Sequence, residues 1–341
     1  MRRLLTLSVI GLFLVSVFAV PPPARAASPL GELQSRLDAA VRYAPGHVAI
    51  AIEDLATGAI SGVNANANMP AASTIKVPVM VEVFRQMSFG RVGLNQLVHL
   101  EAGDKDWGWG ELCDALSGSS YPVSRLLWKM ITESDNTATY MLIRLVGRQN
   151  INRTMRELGL YQTRVGDYIR SDGDIRALRS SPSDMVRLLE SMAREQLVDE
   201  WSSRQMIAIL EGQRHNTLLP APLPPETKIA HKTGMLHDTL NDVGIVETSR
   251  APYVIAVMTT HLPSLDLGRT FIRGISRMTY QAMERVADWR QSAGVSPVEA
   301  LTQPVPPVSS DLRLWLPSAR EAPSAAAPDA GLPQNTVTTP K

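Results

Sequence analysis

Apolar residues recur every three or four positions along several stretches of the chain, the spacing that places them on one face of an α-helix. The first stretch opens with Ser28-Pro29, a capping residue followed by proline at the first helical position, and continues with Leu33 and Leu37. A second stretch, residues 73–87, is apolar on nearly every side, which predicts a helix buried all round. Further helices are predicted over residues 123–146, 151–158, 182–194 and 265–291.

Shorter runs rich in valine, isoleucine and alanine predict β-strands. Residues 47–54 and 59–63 flank the turn residues Ala56-Thr57-Gly58 and predict a hairpin. Strands near the other end of the chain are predicted over residues 228–235, 242–247 and 253–260. This order predicts an α/β (α+β) fold, with a mixed, mostly antiparallel sheet flanked by helices and an inserted all-helical lobe. The predicted domain spans residues 27–302. Its sheet layer is predicted from residues 27–72 and 216–295, and its helical lobe from residues 73–215.

The first 26 residues are typical of a secretory signal peptide. Arg2 and Arg3 precede an apolar run over residues 4–20, and Ala24-Arg25-Ala26 provides the small residues for cleavage after Ala26. An uncleaved anchor is the alternative, although the run is at the short limit for crossing a bilayer. We predict export to the periplasm or the extracellular space, with no stable membrane insertion after cleavage. General secretion and twin-arginine export both remain open.

Residues 303–341 differ in composition from the rest of the chain. They hold eight prolines among alanine, serine, threonine and valine. Such a stretch buries too little apolar surface to offset the entropy of the chain, so a flexible tail is predicted. A docking or wall-tethering role is the alternative.

Composition narrows the classes of function. The 341 residues are 44% hydrophobic with a formal net charge of +1, a globular composition without the bulk charge of a nucleic-acid binder. Cys113 is the only cysteine, which excludes an intrachain disulfide, and we expect it to be a packed small residue. The six histidines show no paired ligand spacing, so we expect no catalytic metal and no cofactor. We also expect a monomer.

The first chemical motif is Ser73-Thr74-Ile75-Lys76, at the start of the predicted buried helix. A spacing of three places the Ser73 hydroxyl and the Lys76 amine on one helical face. A desolvated amine with a lowered pKa can take the proton of a serine nucleophile. Alone the motif is weak, because Ser-x-x-Lys occurs by chance about once in a chain of this length.

Two further motifs follow in order. In Ser134-Asp135-Asn136, a second hydroxyl can relay a proton and an amide can hold a substrate carbonyl or the lysine. The alternative interpretation is an ordinary helix cap. In Lys232-Thr233-Gly234, a cation and a hydroxyl suit a substrate carboxylate, and glycine lets the substrate backbone approach. The alternative here is an unremarkable strand end.

All three motifs in this order occur together in class A β-lactamases and penicillin-binding proteins. The chain resembles the class A β-lactamase-like serine hydrolases over most of residues 30–292. Further matching stretches are Pro70-Ala71-Ala72, Met130-Ile131-Thr132-Glu133 and Asn241-Asp242-Val243-Gly244.

The resemblance implies a role for each matching residue. The acylated nucleophile is Ser73, its proton acceptor is Lys76, and Ser134 passes the proton to the leaving nitrogen. The implied substrate-binding residues are Asn136, Lys232, Thr233, Gly234, Met235 and Trp109. The backbone N–H groups of Ser73 and Met235 would form the oxyanion hole, and Trp109, in the family's aromatic wall, could equally be a packed loop residue. The substrate implied is a β-lactam or a peptidoglycan-like peptide.

The chain departs from the pattern of the family at one position, which serves hydrolysis of the acyl-enzyme. Class A enzymes carry a loop glutamate that activates water for hydrolysis of the acyl-enzyme, and alignment on Thr163 and Arg164 puts apolar Ile169 in its place. Asp172 and Asp174 are the candidates for a surrogate base, and turn residues are the alternative. We therefore expect a β-lactamase-like serine hydrolase, most simply one that hydrolyses β-lactam rings. A D-Ala-D-Ala peptidase, a penicillin-binding protein and a non-turnover β-lactam sensor remain open.

Overall fold

A computed structural model describes residues 29–166, 177–248 and 250–293 of the chain. The predicted signal peptide, the proline-rich end and the loop residues Ile169, Asp172 and Asp174 lie outside these described residues. The described helices are α1 (Pro29–Val41), α2 (Lys76–Ser88), α3 (Val123–Thr132), α4 (Asn136–Val146), α5 (Arg148–Glu157), α6 (Pro182–Ala193), α7 (Glu200–Glu211) and α8 (Leu265–Ala293). The described strands are β1 (His47–Asp54), β2 (Ala59–Val63), β3 (Met69–Pro70), β4 (Leu97–His99), β5 (Ser120–Pro122), β6 (Arg179–Ser180), β7 (Lys228–Met235), β8 (Leu240–Glu247) and β9 (Tyr253–Thr260).

The main sheet is built from both ends of the described chain. Its strand order is β2-β1-β9-β8-β7, and every neighbouring pair is antiparallel. The predicted α/β class and the predicted hairpin of β1 and β2 are confirmed. The helices α2 to α7 lie between β2 and β7 in sequence, so the chain leaves the sheet and returns to it.

Two hydrophobic clusters cover the two faces of this sheet. Successive residues of the central strand β9 alternate between them: Val254 and Ala256 join the cluster on the side of α6, whereas Ile255 and Val257 join the cluster on the side of α1 and α8. Because both faces are covered, every residue of β9 is buried. This strand is therefore a rigid base for β7 and β8, which carry residues of the site.

The structure corrects the boundaries of two predicted helices and adds one helix that was not predicted. The predicted helix 73–87 begins as a 3₁₀ turn, Ala72–Ile75, and the α-helix starts only at Lys76. The predicted helix 123–146 is two helices, because Ser134 takes a left-handed backbone with φ of 58° between α3 and α4. Helix α7 was not predicted at all, although its cap Asp199 was an available signal.

Within the described ranges, no helix combines the length and the apolar composition needed to cross a bilayer. The longest, α8, packs against α1 and the sheet.

Candidate active site

The Ser73 segment lies where the sheet meets the helices. The side-chain amide of Asn241, on β8, donates hydrogen bonds to the carbonyl oxygens of Pro70 and Ala71, at 2.8 Å and 3.1 Å. These bonds fix the chain immediately before Ser73, and Ala72 takes a left-handed backbone with φ of 48°. Ser73 is half-buried, at the surface end of the 3₁₀ turn that leads into α2.

Lys76, the first residue of α2, is directed at the second motif. Its Nζ donates to the backbone oxygen of Ser134 at 2.6 Å, to Ser134 Oγ at 3.0 Å and to Asn136 Oδ1 at 2.8 Å. These contacts use all three N–H bonds of an ammonium group. Among the described residues, no hydrogen bond joins Lys76 Nζ to Ser73 Oγ. The predicted proton transfer from Ser73 therefore needs Lys76 to exchange one of these partners.

In Ser134-Asp135-Asn136 the helix-cap interpretation is confirmed for Asp135, whereas Ser134 and Asn136 contact Lys76. Asp135 caps α4 by accepting from Ala138 N at 2.7 Å, and its other oxygen accepts from Glu111 N and Leu112 N at 2.9 Å and 3.0 Å. This fully buried carboxylate ties the loop before α3 to the turn. Ser134 and Asn136, on either side of Asp135, are thereby left to face Lys76.

The third motif brings a second amine to Ser134. Lys232 Nζ donates to Ser134 Oγ at 3.2 Å and to the Thr233 backbone oxygen at 3.0 Å, and the Lys232 side chain is fully buried. His231, the preceding residue on β7, is directed elsewhere, with its ring nitrogens 2.9 Å from Asp242 and 2.9 Å from Asn216. Adjacent side chains on a strand point to opposite faces, so His231 points away from the site that Lys232 faces.

Gly234 is required by the packing of the protein itself. A Cβ atom at Gly234 would stand 2.9 Å from the Ala71 oxygen, 3.1 Å from Ala72 Cβ and 3.1 Å from Ser73 N. The strand end therefore packs directly on the nucleophile segment, a reason for glycine that the sequence analysis did not include. This approach also brings β7 next to the Ser73 N–H, while Met235 stays 40% exposed.

Replacing Gly234 by alanine is expected to destabilise the fold by about 1–3 kcal/mol, because a backbone oxygen must move away from the new methyl group. Urea unfolding measures this loss. The matched control is Gly274→Ala in α8, where nothing lies within 4 Å of the added Cβ, and alanine should stabilise the helix by about 0.5–1 kcal/mol. Equal effects of the two substitutions would contradict the close contact at Gly234.

Burial lowers the basicity of both amines. It holds the pKa of Lys76 well below its usual value, and the neighbouring Lys232 lowers it further, while Asp135 and Asp106 oppose the shift. Burial also lowers the pKa of Lys232 to about 7, against the opposing charge of Asp242. Each amine therefore loses its proton at a lower pH than an exposed lysine does.

Two residues of the site were missed by the sequence analysis. Asp106 accepts from Asn136 Nδ2 at 2.9 Å, which orients that amide so that its oxygen faces Lys76. His215 packs edge-on against Trp109, with ring centroids 5.6 Å apart, and Trp109 is 42% exposed. Both lie far in sequence from their partners, so no local pattern pointed to them.

Neither a reactive cysteine nor a metal centre is found among the described residues. Cys113 is buried, and burial raises the pKa of its thiol, as expected for a packed small residue. In the described ranges, no group of three or more histidine, cysteine, aspartate or glutamate residues is placed to hold a metal ion.

At the edge of this antiparallel sheet, the amines of Lys76 and Lys232 meet at the Ser134 hydroxyl, beside the Ser73 segment. The comparisons with known proteins show a hydrolase of the β-lactamase type. The β-lactamase enzyme family matches residues 32–283. The chain belongs to this family, which confirms the resemblance found in its motifs. No curated protein is matched in the sequence comparison.

Solved structures similar to this chain include PBP-A and a β-lactamase. PBP-A is 31% identical with a TM-score of 0.71, covering 74% of this chain and 96% of its own. A PBP-A mutant in an acyl-enzyme complex with penicillin G is 30% identical with a TM-score of 0.69, and the match covers 75% of this chain and 96% of the mutant. A β-lactamase from Sphaerobacter thermophilus DSM 20745 is 28% identical with a TM-score of 0.69, and the match covers 74% of this chain and 97% of that β-lactamase.

Proposed function

We propose that the protein is an exported serine hydrolase that forms an acyl-enzyme on Ser73 and hydrolyses β-lactam rings. The observation that carries this proposal is the shared position of Ser134 Oγ, which lies 3.0 Å from Lys76 Nζ and 3.2 Å from Lys232 Nζ. A hydroxyl held between two amines of lowered pKa is suited to moving protons. A protein that only bound its ligand would have little need of such a relay.

The proposed reaction uses the contacts of Ser134 with both amines, and it begins when Lys76 Nζ exchanges one of its partners for Ser73 Oγ. Ser73 Oγ attacks the lactam carbonyl while its proton passes to neutral Lys76, and the carbonyl oxygen takes the negative charge. The N–H groups of Ser73 and Met235 donate hydrogen bonds to that oxygen. The proton then moves from Lys76 to Ser134 Oγ as the hydroxyl proton of Ser134 passes to the lactam nitrogen. The C–N bond breaks and leaves an ester on Ser73.

Binding of the substrate is assigned to the sheet side of the cleft. The Lys232 ammonium and the Thr233 hydroxyl bind the substrate carboxylate. Asn136, whose amide is oriented by Asp106, holds a substrate carbonyl, and Trp109 faces the rest of the molecule.

Hydrolysis of the ester is the step that separates this proposal from a second candidate. The chain has no glutamate between Glu157 and Glu190. Asp172 or Asp174 would have to activate the water. A D-Ala-D-Ala peptidase or penicillin-binding protein with slow deacylation is therefore the second candidate, and the similarity to PBP-A favours it.

The intact mass of the purified protein, followed after mixing with a penicillin, distinguishes these functions. An adduct that forms and disappears, with release of the opened penicillin, is the expected result. An adduct that persists would replace hydrolysis by the penicillin-binding function, and peptides ending in D-Ala-D-Ala would then be tested as substrates. Absence of both adduct and hydrolysis would exclude β-lactams as the substrate class.

The rate of acylation by a β-lactam with a free carboxylate is expected to fall as the pH rises through about 7. Lys232 keeps its proton below its lowered pKa and loses it above, together with the charge that binds the carboxylate. The methyl ester of the same β-lactam lacks that charge and should not show this alkaline fall. Second-order acylation rates from about pH 5 to 9 test this prediction. A parallel fall for acid and ester would contradict it.

A further inference from the structure

The residues that follow α7 connect the two walls of the cleft. Gln213 Nε2 donates to the Ile131 oxygen on α3 at 3.0 Å, and its Oε1 accepts from the His215 N–H at 3.1 Å. On the sheet side, Asn216 Oδ1 lies 2.9 Å from the ring of His231 on β7. The backbone of His215 is therefore fixed from both sides, by the helices through Gln213 and by the sheet through Asn216.

The side chain of His215 leaves one polar atom without a partner. Its Nε2 is buried, and among the residues that the structure describes it has no hydrogen-bond partner. The same ring packs edge-on against Trp109. Buried polar atoms are almost always hydrogen-bonded in native proteins, so an unpaired donor beside a cleft is open to a water molecule or to an acceptor group of a ligand.

The charge around His215 favours an anion as that ligand. After burial, Lys232 is the largest influence that lowers the pKa of His215, with His231 and Lys76 acting in the same direction and the backbone of Glu133 opposing them. The ring therefore lies within electrostatic range of the two cleft amines. A carboxylate placed among these groups would relieve their mutual repulsion.

Lys232 alone offers little to such a carboxylate. Two of the three N–H bonds of its ammonium group are directed at Ser134 Oγ and the Thr233 oxygen. One N–H bond remains, whereas a carboxylate has two oxygens that each accept more than one hydrogen bond. The Thr233 hydroxyl supplies a second donor, and the carboxylate still has acceptor positions for a third donor beside Lys232.

We propose that His215 is a specificity-determining residue whose Nε2–H donates a hydrogen bond to the carboxylate of the substrate, next to Lys232. The inference rests on the proposed function and extends it to the recognition of anionic substrates. Either the neutral ring with its proton on Nε2 or the imidazolium makes this bond. In the free protein the ring packs edge-on against Trp109, and the substrate carboxylate would replace part of that contact.

Two substitutions separate the hydrogen bond from the packing. His215→Phe keeps a ring against Trp109 and removes the N–H, whereas His215→Gln keeps an N–H donor. The probes are benzylpenicillin and its methyl ester, and the readout is the second-order rate of adduct formation by intact mass. His99→Ala, on the exposed strand β4, is the control for removal of a histidine.

The expected result is a tenfold or larger loss with benzylpenicillin for His215→Phe, since hydrogen bonds to charged groups are the strong ones. The ester should lose less than about twofold, because it carries no charge at that position. His215→Gln should recover part of the loss. Equal losses for acid and ester, or no loss for either, would overturn the role of His215. If the parent protein forms no adduct, the proposed function fails first, and that failure is visible without any variant.

Discussion

Replacing Lys76 by alanine is expected to abolish acylation of Ser73 by β-lactams, with a loss of about 10³-fold or more in the acylation rate. Lys76 is 3% exposed, and burial lowers the pKa of its amine. In the proposed mechanism this amine is the base that takes the proton of Ser73. Its removal eliminates general-base catalysis, which contributes about 10²- to 10⁴-fold, and it also breaks the path to Ser134. The rate of adduct formation with a penicillin measures the effect.

The control for this experiment is Lys228→Ala, which removes a lysine from the exposed start of β7. It should acylate at the parent rate. Thermal unfolding of both variants shows whether they are folded, and Lys76→Ala should remain folded because it removes a buried amine that carries a desolvation cost. A folded Lys76→Ala protein that acylates at the parent rate would contradict the proposed mechanism.

Replacing Asp135 by alanine is expected to lower the free energy of unfolding by about 3 kcal/mol or more. The carboxylate is fully buried and accepts three backbone N–H groups, from Glu111, Leu112 and Ala138. Each buried donor that loses its partner costs about 1–3 kcal/mol. Urea unfolding at neutral pH measures the loss.

A second helix cap provides the comparison for Asp135. Asp199 caps α7 through one hydrogen bond, from Ser202 N at 2.7 Å, and it is exposed. Asp199→Ala should therefore cost only about 1 kcal/mol, the usual value for a cap. If the two substitutions cost the same, Asp135 would be an ordinary cap and would not hold the second motif in place.

Local patterns explain why much of the fold was predictable. The strands β1 and β9 are largely apolar runs, and the predicted limits of β1, β7 and β9 agree with the structure. The limits of the helices around the site were wrong because single residues decide them. A left-handed Ser134 ends one helical run, and the 3₁₀ turn before Lys76 has the same apolar pattern as the helix it precedes.

The motif residues were predictable for a different reason. Ser73 with Lys76, and Ser134 with Asn136, are close in sequence, so their spacing alone indicates shared chemistry. The structure brings Lys76 and Lys232 to the same Ser134 hydroxyl. Both lysines are far from Ser134 in the sequence, so no local pattern predicts that they meet there. His215 was missed because only the folded chain places it against Trp109 and near Lys232.

The most direct test of the account is to locate the acyl group after a brief reaction with a penicillin. Trypsin should release residues 43–76, which end at Lys76, and fragmentation of this peptide distinguishes Ser73 from Ser61 and the threonines. The account predicts a penicilloyl mass on Ser73 in the parent protein and its absence in Ser73→Ala. An adduct on another residue, or an adduct that persists in Ser73→Ala, would contradict the assignment of Ser73 as the nucleophile.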